Sequence, residues 1–168
     1  PCVTDHTPLD AGLASISDVA TLVERAQATA LDLEQDMTEH LVNTYGSDCL
    51  TILALTQEQP ALRQRIVPDL PYLYAEIPYA IHHEMACTLS DLLIRRMRLI
   101  HEDKTQGLAY AEAIAQLMAQ ELAWPPAEIA AQIATYRQAV TLTRQFEANP
   151  RRETSNPASP MPAVVLEA

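Results

Sequence analysis

Residues that favour β-strands are scarce in this chain, and that scarcity limits its fold more than any other feature. Of the 168 residues, 26 are Ala and 21 are Leu, but eight are Val and one is Phe. Ala and Leu are strong helix formers, whereas strands prefer β-branched and aromatic residues. A chain of this length can bury one sizeable hydrophobic core. We therefore predict an all-α fold, a compact bundle of about six or seven helices.

Glycine is too sparse for the loops that bind nucleotide phosphates. The three glycines are Gly12, Gly46 and Gly107, and no two of them lie close in sequence. A dinucleotide-binding fingerprint or a P-loop needs several glycines within a few residues. The sequence therefore excludes the nucleotide-binding folds that depend on either motif.

The charge of the chain argues against a nucleic-acid partner and against membrane insertion. The formal net charge is −11, and the first 50 residues contain nine Asp and Glu but one basic residue, Arg25. Proteins that bind nucleic acid or anionic lipid use clustered Lys and Arg. The longest uncharged run, 154–166, contains three Pro, so it does not form a membrane-spanning helix. We expect neither kind of partner.

The cysteines indicate a reducing compartment. Cys2, Cys49 and Cys87 are widely spaced, without a Cys-x-x-Cys motif and without a signal peptide before them. We therefore expect a cytoplasmic protein with no disulfide framework. Because the chain begins at Pro1 rather than with Met, we also expect it to be a piece of a longer protein.

Apolar periodicity and helix-breaking residues predict the organisation of the chain. We expect a linker over residues 1–14, a helical domain over 15–147 and a disordered Pro-rich tail over 148–168. The first predicted helix begins at Ser15 or Ser17. A second spans Leu31–Tyr45, a short third contains Leu50–Gln57, and Pro60 opens one or two further helical turns. Two helices then lie between Glu76 and Leu99, and the last two span Ala109–Leu122 and Ala127–Phe146.

The long helical stretch after Glu76 is predicted to be broken. Pro78 is tolerated in a helix only in the first turn, so a helix begins near Ala75. Thr88 and Asp91 have the spacing of a capping box, in which each side chain bonds the other residue's backbone N–H. The sequence therefore predicts two helices that are separated near Cys87.

Two clusters contain residue types that bind metals, one of His82, His83 and Glu84 and one of His101, Glu102 and Asp103. A small metal-dependent helical hydrolase would use the first cluster with His101. Adjacent residues on a helix point about 100° apart, so His82 and His83 do not face one ion from a regular helix. Cys87 lies four residues after His83, but such a pair is more often a small buried Cys in a helical core. We expect no metal site and no catalytic residue here.

The densest aromatic patch consists of Tyr72, Tyr74 and Tyr79. Such a patch is either a small core beneath a loop or an exposed surface that docks onto a neighbouring domain. Composition does not decide between these two interpretations. Both remain open at this point.

Arg95, Arg96 and Arg98 form the densest basic cluster in the acidic chain. Asp91 lies four residues before Arg95, which is the favourable order for an ion pair on a helix. Glu76 and Glu84 are further candidate partners for these guanidinium groups. We therefore favour a structural ion-pair network over a phosphate-binding site.

The central stretch carries an ordered pattern of residues at fixed spacing. Its members are Ala75, Glu76, Tyr79, Ala80, Glu84, Met85, Ala86, Asp91, Arg95, Arg96, Arg98 and Leu99, with His40, Leu41, Tyr45 and Gly46 before them and Gly107, Glu121, Leu122 and Trp124 after them. This pattern resembles the C-terminal domain of the FAD-dependent glycerol-3-phosphate dehydrogenases and α-glycerophosphate oxidases. The resemblance covers about residues 1–145.

The resemblance implies a parent enzyme that oxidises sn-glycerol 3-phosphate to dihydroxyacetone phosphate and passes a hydride to FAD, which then reduces quinone or, in the oxidases, oxygen. In that family the flavin fingerprint, the substrate-binding basic residues and the catalytic His belong to upstream domains. The segment 1–14 is then the linker that follows the flavin domain.

No catalytic, cofactor-binding or metal-binding residue is therefore expected in this fragment. Its implied role is to pack against the flavin and substrate domains or to contribute to subunit contacts, through the Tyr patch and the Arg95-Arg96 helix. The alternative is a free-standing helical module that binds a partner protein through the same residues.

Overall fold

A computed structural model describes residues 16–29 and 33–145 of the chain. Within these two ranges the fold is all-α, with seven α-helices and no strand, which confirms the predicted fold class. The predicted linker 1–14 and tail 148–168 lie outside the described residues. The helices are α1 (Ile16–Thr29), α2 (Gln35–Tyr45), α3 (Cys49–Glu58), α4 (Glu76–Glu84), α5 (Leu99–Glu102), α6 (Ala111–Leu122) and α7 (Pro126–Thr143).

Three tighter or wider helical turns connect these helices. Short 3₁₀ turns span Gly46–Asp48 and Pro60–Arg63, and a π-helical turn spans Asp91–Arg96. The short helix opened by Pro60 is thus confirmed. Gly46, at the end of α2, has a positive φ of 56°, a conformation that glycine adopts without a steric penalty.

α2 begins at Gln35 and not at Leu31 as the sequence predicted. Glu34 is extended, with φ −65° and ψ 150°. Its carboxylate lies 2.9 Å from the Arg65 guanidinium, which also lies 2.6 Å from Asp36. Arg65 therefore joins the start of α2 to the loop before α4, a long-range contact that local periodicity does not reveal.

The break after α4 has the predicted capping box. The Thr88 hydroxyl accepts the Asp91 N–H at 3.0 Å, and the Asp91 carboxylate accepts the Thr88 N–H at 3.1 Å. The following helix is shorter than predicted. It is a π-helical turn that ends at Arg96, and Arg98, with φ 55°, separates it from α5.

Two hydrophobic clusters form the core. The N-terminal cluster contains side chains of α1, α2 and α3, and the C-terminal cluster contains side chains of the π-helical turn, α5, α6 and α7. α4 lies between them. Its Tyr79 packs in the first cluster, whereas Ile77 and Ala80 pack in the second.

The segment before α4 folds back on itself and fixes where that helix begins. Ile66 N–H donates to the Tyr72 carbonyl at 2.8 Å, and Ala75 N–H donates to the Leu62 carbonyl at 3.0 Å. These bonds close a tight loop over residues 66–72. They place the first turn of α4 at the boundary of the two clusters.

Candidate functional site

A buried carboxylate in the first turn of α4 is the most unusual feature of the described chain. Glu76 is 0% exposed. Its Oε1 accepts the Leu73 N–H at 2.7 Å, and its Oε2 accepts the Tyr45 hydroxyl at 2.8 Å. His40 Nε2 lies 3.0 Å from the same Oε2. The Leu73 N–H, the Tyr45 hydroxyl and the His40 ring thus surround the Glu76 carboxylate.

Local sequence explains the contact of Glu76 with Leu73 but not its contacts with α2. Glu76 follows Leu73 by three residues, so its side chain folds back over the start of α4 in the manner of a capping box. The positive end of the helix dipole also favours a carboxylate in the first turn. His40 and Tyr45 come from α2, and they join α2 to α4 through this carboxylate.

Aromatic rings surround the buried carboxylate. The Tyr45 and Tyr79 rings meet edge to face with centroids 5.3 Å apart, and the His40 and Tyr72 rings do so at 4.6 Å. The Tyr72 hydroxyl donates to Glu102 at 2.7 Å. The Tyr79 hydroxyl donates to Asp48 at 2.9 Å. These rings form one continuous cluster, which ends at the half-buried Asp48 and the exposed Glu102.

The tyrosine hydroxyls of this cluster keep their protons to high pH. Burial is the main cause that raises the pKa of Tyr45, Tyr72 and Tyr79, and neighbouring carboxylates raise it further. Burial also raises the pKa of Tyr74. Each group therefore acts as a hydrogen-bond donor or stays neutral in the interior.

The Tyr patch is a small core beneath a loop and not an exposed surface. Tyr72 and Tyr79 are 6% and 5% exposed, and Tyr74 is half-buried. Of the two interpretations that the sequence left open, burial supports this one. A docking surface on this domain therefore has to use other side chains.

The basic cluster forms the ion pairs that the sequence predicted, with one exception. Arg95 pairs with Asp91 across one helical turn. Arg96 donates to the Glu84 carbonyl at 2.6 Å, and its Nε lies 3.9 Å from the Glu84 carboxylate. Glu76 was expected among the partners of these Arg residues, but it binds α2 and Leu73 instead. The carboxyl of Glu84 has a raised pKa, mainly because it is partly buried and despite the opposing effect of Arg96.

The His and Cys residues are dispersed. His82 lies 2.9 Å from Glu121, whereas the His83 ring stacks on Tyr79 with centroids 4.7 Å apart. Within residues 16–29 and 33–145, no group of three or more His, Cys, Asp and Glu is arranged to hold a metal ion. Cys87 is exposed and not the small buried core Cys that was expected.

Cys49 is the buried thiol of the described chain. It lies in the N-terminal cluster and is 0% exposed. Burial is the main cause that raises its pKa to about 11, with a smaller contribution from Asp48. The group is therefore a neutral thiol at physiological pH.

Two large apolar side chains among the described residues are exposed, one directly after α4 and one near the end of α7. Met85, the residue after α4, is 78% exposed, and its φ is 56°. Leu142 near the end of α7 is 63% exposed. It lines a shallow surface depression with Arg137, Gln138 and Thr141.

The sequence patterns predicted neither the burial of Glu76 nor its partners on α2, although one signal of burial was present. Glu76 has no Lys or Arg at three or four residues on either side, and its neighbours in α4 are apolar. An acid in such a run is a candidate for burial, because an exposed helical acid commonly has a basic neighbour one turn away. The donors on α2 lie at least 31 residues away, which local patterns do not connect.

The fold and these sites define a small all-α domain that matches a known C-terminal domain. The family described as the C-terminal domain of alpha-glycerophosphate oxidase matches residues 2–129. The chain belongs to this family, which confirms the resemblance seen in its motifs. No solved structure matches the chain.

Curated relatives carry a common name. The chain is 36% identical over 105 residues to a probable mitochondrial glycerol-3-phosphate dehydrogenase of Caenorhabditis elegans, which covers 60% of this chain and 14% of that protein. It is 36% identical over 111 residues to a glycerol-3-phosphate dehydrogenase of Mycobacterium leprae, covering 66% and 19%. A Synechocystis glycerol-3-phosphate dehydrogenase is 30% identical over 138 residues, covering 82% and 24%.

The matched region is a small part of each relative. The chain spans between 14% and 24% of the length of these three proteins. No helix among the described residues is long and apolar enough to cross a membrane.

Proposed function

We propose that this chain is the helical C-terminal domain of an FAD-dependent glycerol-3-phosphate dehydrogenase and that it braces the flavin and substrate domains without chemistry of its own. The parent enzyme oxidises sn-glycerol 3-phosphate to dihydroxyacetone phosphate and passes the electrons through FAD to quinone. The observation that carries this proposal is the family match over residues 2–129.

The state of the buried polar groups supports a bracing role. The Glu76 carboxylate accepts from Tyr45 and Leu73 and lies within hydrogen-bonding distance of His40, and the Tyr72 and Tyr79 hydroxyls donate to carboxylates of the same chain. A general base needs a free lone pair beside a substrate proton. These groups use their hydrogen-bonding capacity to hold helices together.

The buried polar groups of the described residues argue against a resident FAD. Among the described residues, every buried side-chain N and O atom has a hydrogen-bond partner within the chain. A flavin site presents polar groups toward the ring and the phosphates, and these would be left unpaired in a chain without the cofactor. We therefore place FAD in the remainder of the parent.

Flavin uptake by the 168-residue chain tests this proposal. We expect no flavin absorbance to co-elute with the chain after incubation with FAD, and no oxidation of glycerol 3-phosphate with an artificial electron acceptor. The full-length parent, treated in the same way, is the positive control. Stoichiometric FAD retention by the chain alone would refute the proposed division of labour.

Removal of the domain from the parent tests the bracing role separately. A parent truncated before about residue 15 of this chain is expected to lose flavin and to unfold at lower temperature, because the contacts between domains are lost. A truncated parent with full activity and full flavin content indicates an independent accessory module. Subunit contacts through this domain predict that the truncation also changes the oligomeric state.

A cytoplasmic location is part of the same proposal. The relative from Caenorhabditis elegans is named as mitochondrial, so cell fractionation is the measurement that decides. Recovery of the parent in the cytoplasmic fraction, or at the inner face of the cytoplasmic membrane, is the expected result. Recovery in another compartment contradicts it.

A further inference from the structure

We propose that Met85, Arg95 and Arg96 form the surface by which this domain docks onto the remainder of its parent chain. We call this surface the Met85 face. The inference rests on the proposed function and adds to it the place of contact and the chemistry of the partner: an apolar pocket bordered by carboxylates.

Met85 does not serve the packing of its own domain. Its side chain is 78% exposed, whereas Ala86 beside it is 0% exposed. Its φ of 56° lies in the left-handed region, which glycine adopts freely and a residue with a Cβ does not. Gly at this helix end would relieve the backbone strain without loss of a core contact. Met is over-represented at binding surfaces because its side chain is flexible and polarisable, so this exposed side chain suits an anchor.

The backbone around Met85 fixes the direction of its side chain. The N–H of Met85 and that of Ala86 both donate to the Ala80 carbonyl, the latter at 3.0 Å. Ala86 packs in the C-terminal cluster. The backbone at Met85 is thus fixed between a helix end and a buried residue, so little backbone entropy is lost when a partner binds there.

Two adjacent Arg residues end the π-helical turn, and one of them contacts the residue before this anchor. Arg96 reaches the carbonyl of Glu84, the residue before Met85, at 2.6 Å. The Arg95 side chain is 64% exposed, whereas the side chain of its partner Asp91 is 28% exposed. The guanidinium groups therefore project farther into solvent than the carboxylates that pair with them. Arg and Met are enriched in the centres of protein interfaces.

The occupant that these features favour is the remainder of the parent chain. The relatives extend far beyond the matched region, since the chain spans 14% to 24% of their length. A second copy of this chain is disfavoured. In a twofold contact centred on this surface, Arg95 and Arg96 would face their own symmetry mates, and like charges in such a contact repel.

Hydrogen exchange locates the contact in the protein as it exists. We expect the amides of residues 85–87 and 95–96 to exchange at least tenfold more slowly in the full-length parent than in the 168-residue chain. Equal exchange of this face in both proteins contradicts the proposal. If protection appears on α7 instead, the bracing function stands and the Met85 face is wrong. If no segment gains protection, both fail.

Matched substitutions test the side chains. In the full-length parent, Met85→Ser and Arg95→Glu are expected to lower the melting temperature by at least 5 °C, while the same changes lower that of the 168-residue chain by less than about 3 °C. The controls are Leu142→Ser and Arg137→Glu, which alter an exposed apolar and an exposed basic residue on α7. Equal effects of both sets in the parent overturn the assignment.

Met85→Gly is expected to shift the melting temperatures of the 168-residue chain and of the parent in opposite directions. Relief of the left-handed strain is expected to raise the melting temperature of the 168-residue chain by about 3 °C. The loss of the anchor is expected to lower that of the parent. A rise in both proteins contradicts the proposal. If the Met85 face of the isolated 168-residue chain exchanged more slowly as the protein concentration rose, the occupant would be a second copy of the chain. That result would also overturn the proposal.

Discussion

The Glu76 site and the Met85 face lie at opposite ends of α4, and they differ in almost every physical respect. Glu76 is fully buried, and two hydrogen bonds and a close His40 contact satisfy its carboxylate. Met85 is 78% exposed and has a left-handed backbone. Both residues belong to the motif that carries the family resemblance.

This difference teaches that one sequence motif serves two purposes. Around Glu76 the motif residues hold α2 against α4, and their contacts lie within the chain. Around Met85 the motif residues leave apolar and cationic groups in solvent. We therefore expect substitutions at the first site to affect the folding of the domain itself, and those at the second to affect its place in the parent enzyme.

The largest effect is expected for Glu76→Ala. The change leaves the Tyr45 hydroxyl and the Leu73 N–H buried without their acceptor, so we expect a loss of about 3 kcal/mol or more in the free energy of unfolding. Urea unfolding of the 168-residue chain measures it. Glu121→Ala, which removes the partner of the exposed His82, is the control and should cost less than about 1 kcal/mol. Similar losses for both would remove the distinction between the two regions.

High pH is expected to destabilise the buried region first. Burial raises the pKa of the Cys49 thiol from its ordinary value of 9.0 to about 11. The thiol ionises first in the unfolded chain, so its contribution to stability is present below pH 9 and is lost as pH rises toward 11. The loss from this thiol at pH 11 is about 2 kcal/mol. The buried tyrosines, whose pKa values are also raised, act in the same direction from about pH 10 upward.

The two described cysteines provide the comparison that checks this prediction. Cys49→Ala is expected to abolish the part of the stability loss that begins near pH 9, because no buried thiol remains to ionise on unfolding. Cys87→Ala changes an exposed thiol and is expected to leave the pH profile as it is. A profile that responds to Cys87 and not to Cys49 would show that burial is not the cause.

A smaller effect is expected for Thr88→Ala, between the two regions. The Thr88 hydroxyl accepts the Asp91 N–H at 3.0 Å, and the loss of such a cap costs about 1 kcal/mol. Thermal unfolding measures it. Thr88→Ser keeps the hydroxyl and is expected to stay close to the unmodified chain. A Ser variant as unstable as the Ala variant would mean that packing of the Thr methyl, and not the cap, is responsible.

The smallest effect is expected for Arg95→Gln in the 168-residue chain. Arg95 and Asp91 form a solvent-exposed ion pair across one helical turn, and such pairs contribute about 0.3 to 0.5 kcal/mol. Unfolding in low and in high salt measures this contribution, which added salt should screen. A loss above about 1 kcal/mol in the free energy of unfolding would mean that Arg95 stabilises the domain itself. The contrast with Glu76 would then be weaker.

Most of the fold followed from local signals in the sequence. The Thr88–Asp91 capping box, the end of α2 at Tyr45 and the short helix at Pro60 depend on neighbours within four residues, and each is present. The bounds that were wrong have long-range causes. α2 starts late because Arg65, which follows it by a full helix and a turn, binds Glu34.

The candidate site was less predictable for the same reason. The Asp91–Arg95 pair lies within one helical turn and was found, whereas the His40 and Tyr45 contacts of Glu76 link residues that are at least 31 positions apart. Burial of Tyr72 and Tyr79 likewise depends on contacts with distant residues, such as His40 and Tyr45 on α2. The exposure of Met85 depends on where α4 ends, which the sequence located to within a few residues only.

Hydrogen exchange at the Leu73 amide tests the central claim most directly, because this N–H donates to the Glu76 carboxylate at 2.7 Å from outside any helix. We expect it to exchange only through global unfolding of the 168-residue chain, with the full dependence on denaturant, and to lose that protection in Glu76→Gln but not in Glu121→Gln. Exchange of the Leu73 amide through local opening, at a rate that Glu76→Gln does not change, would contradict the claim that this carboxylate anchors the domain.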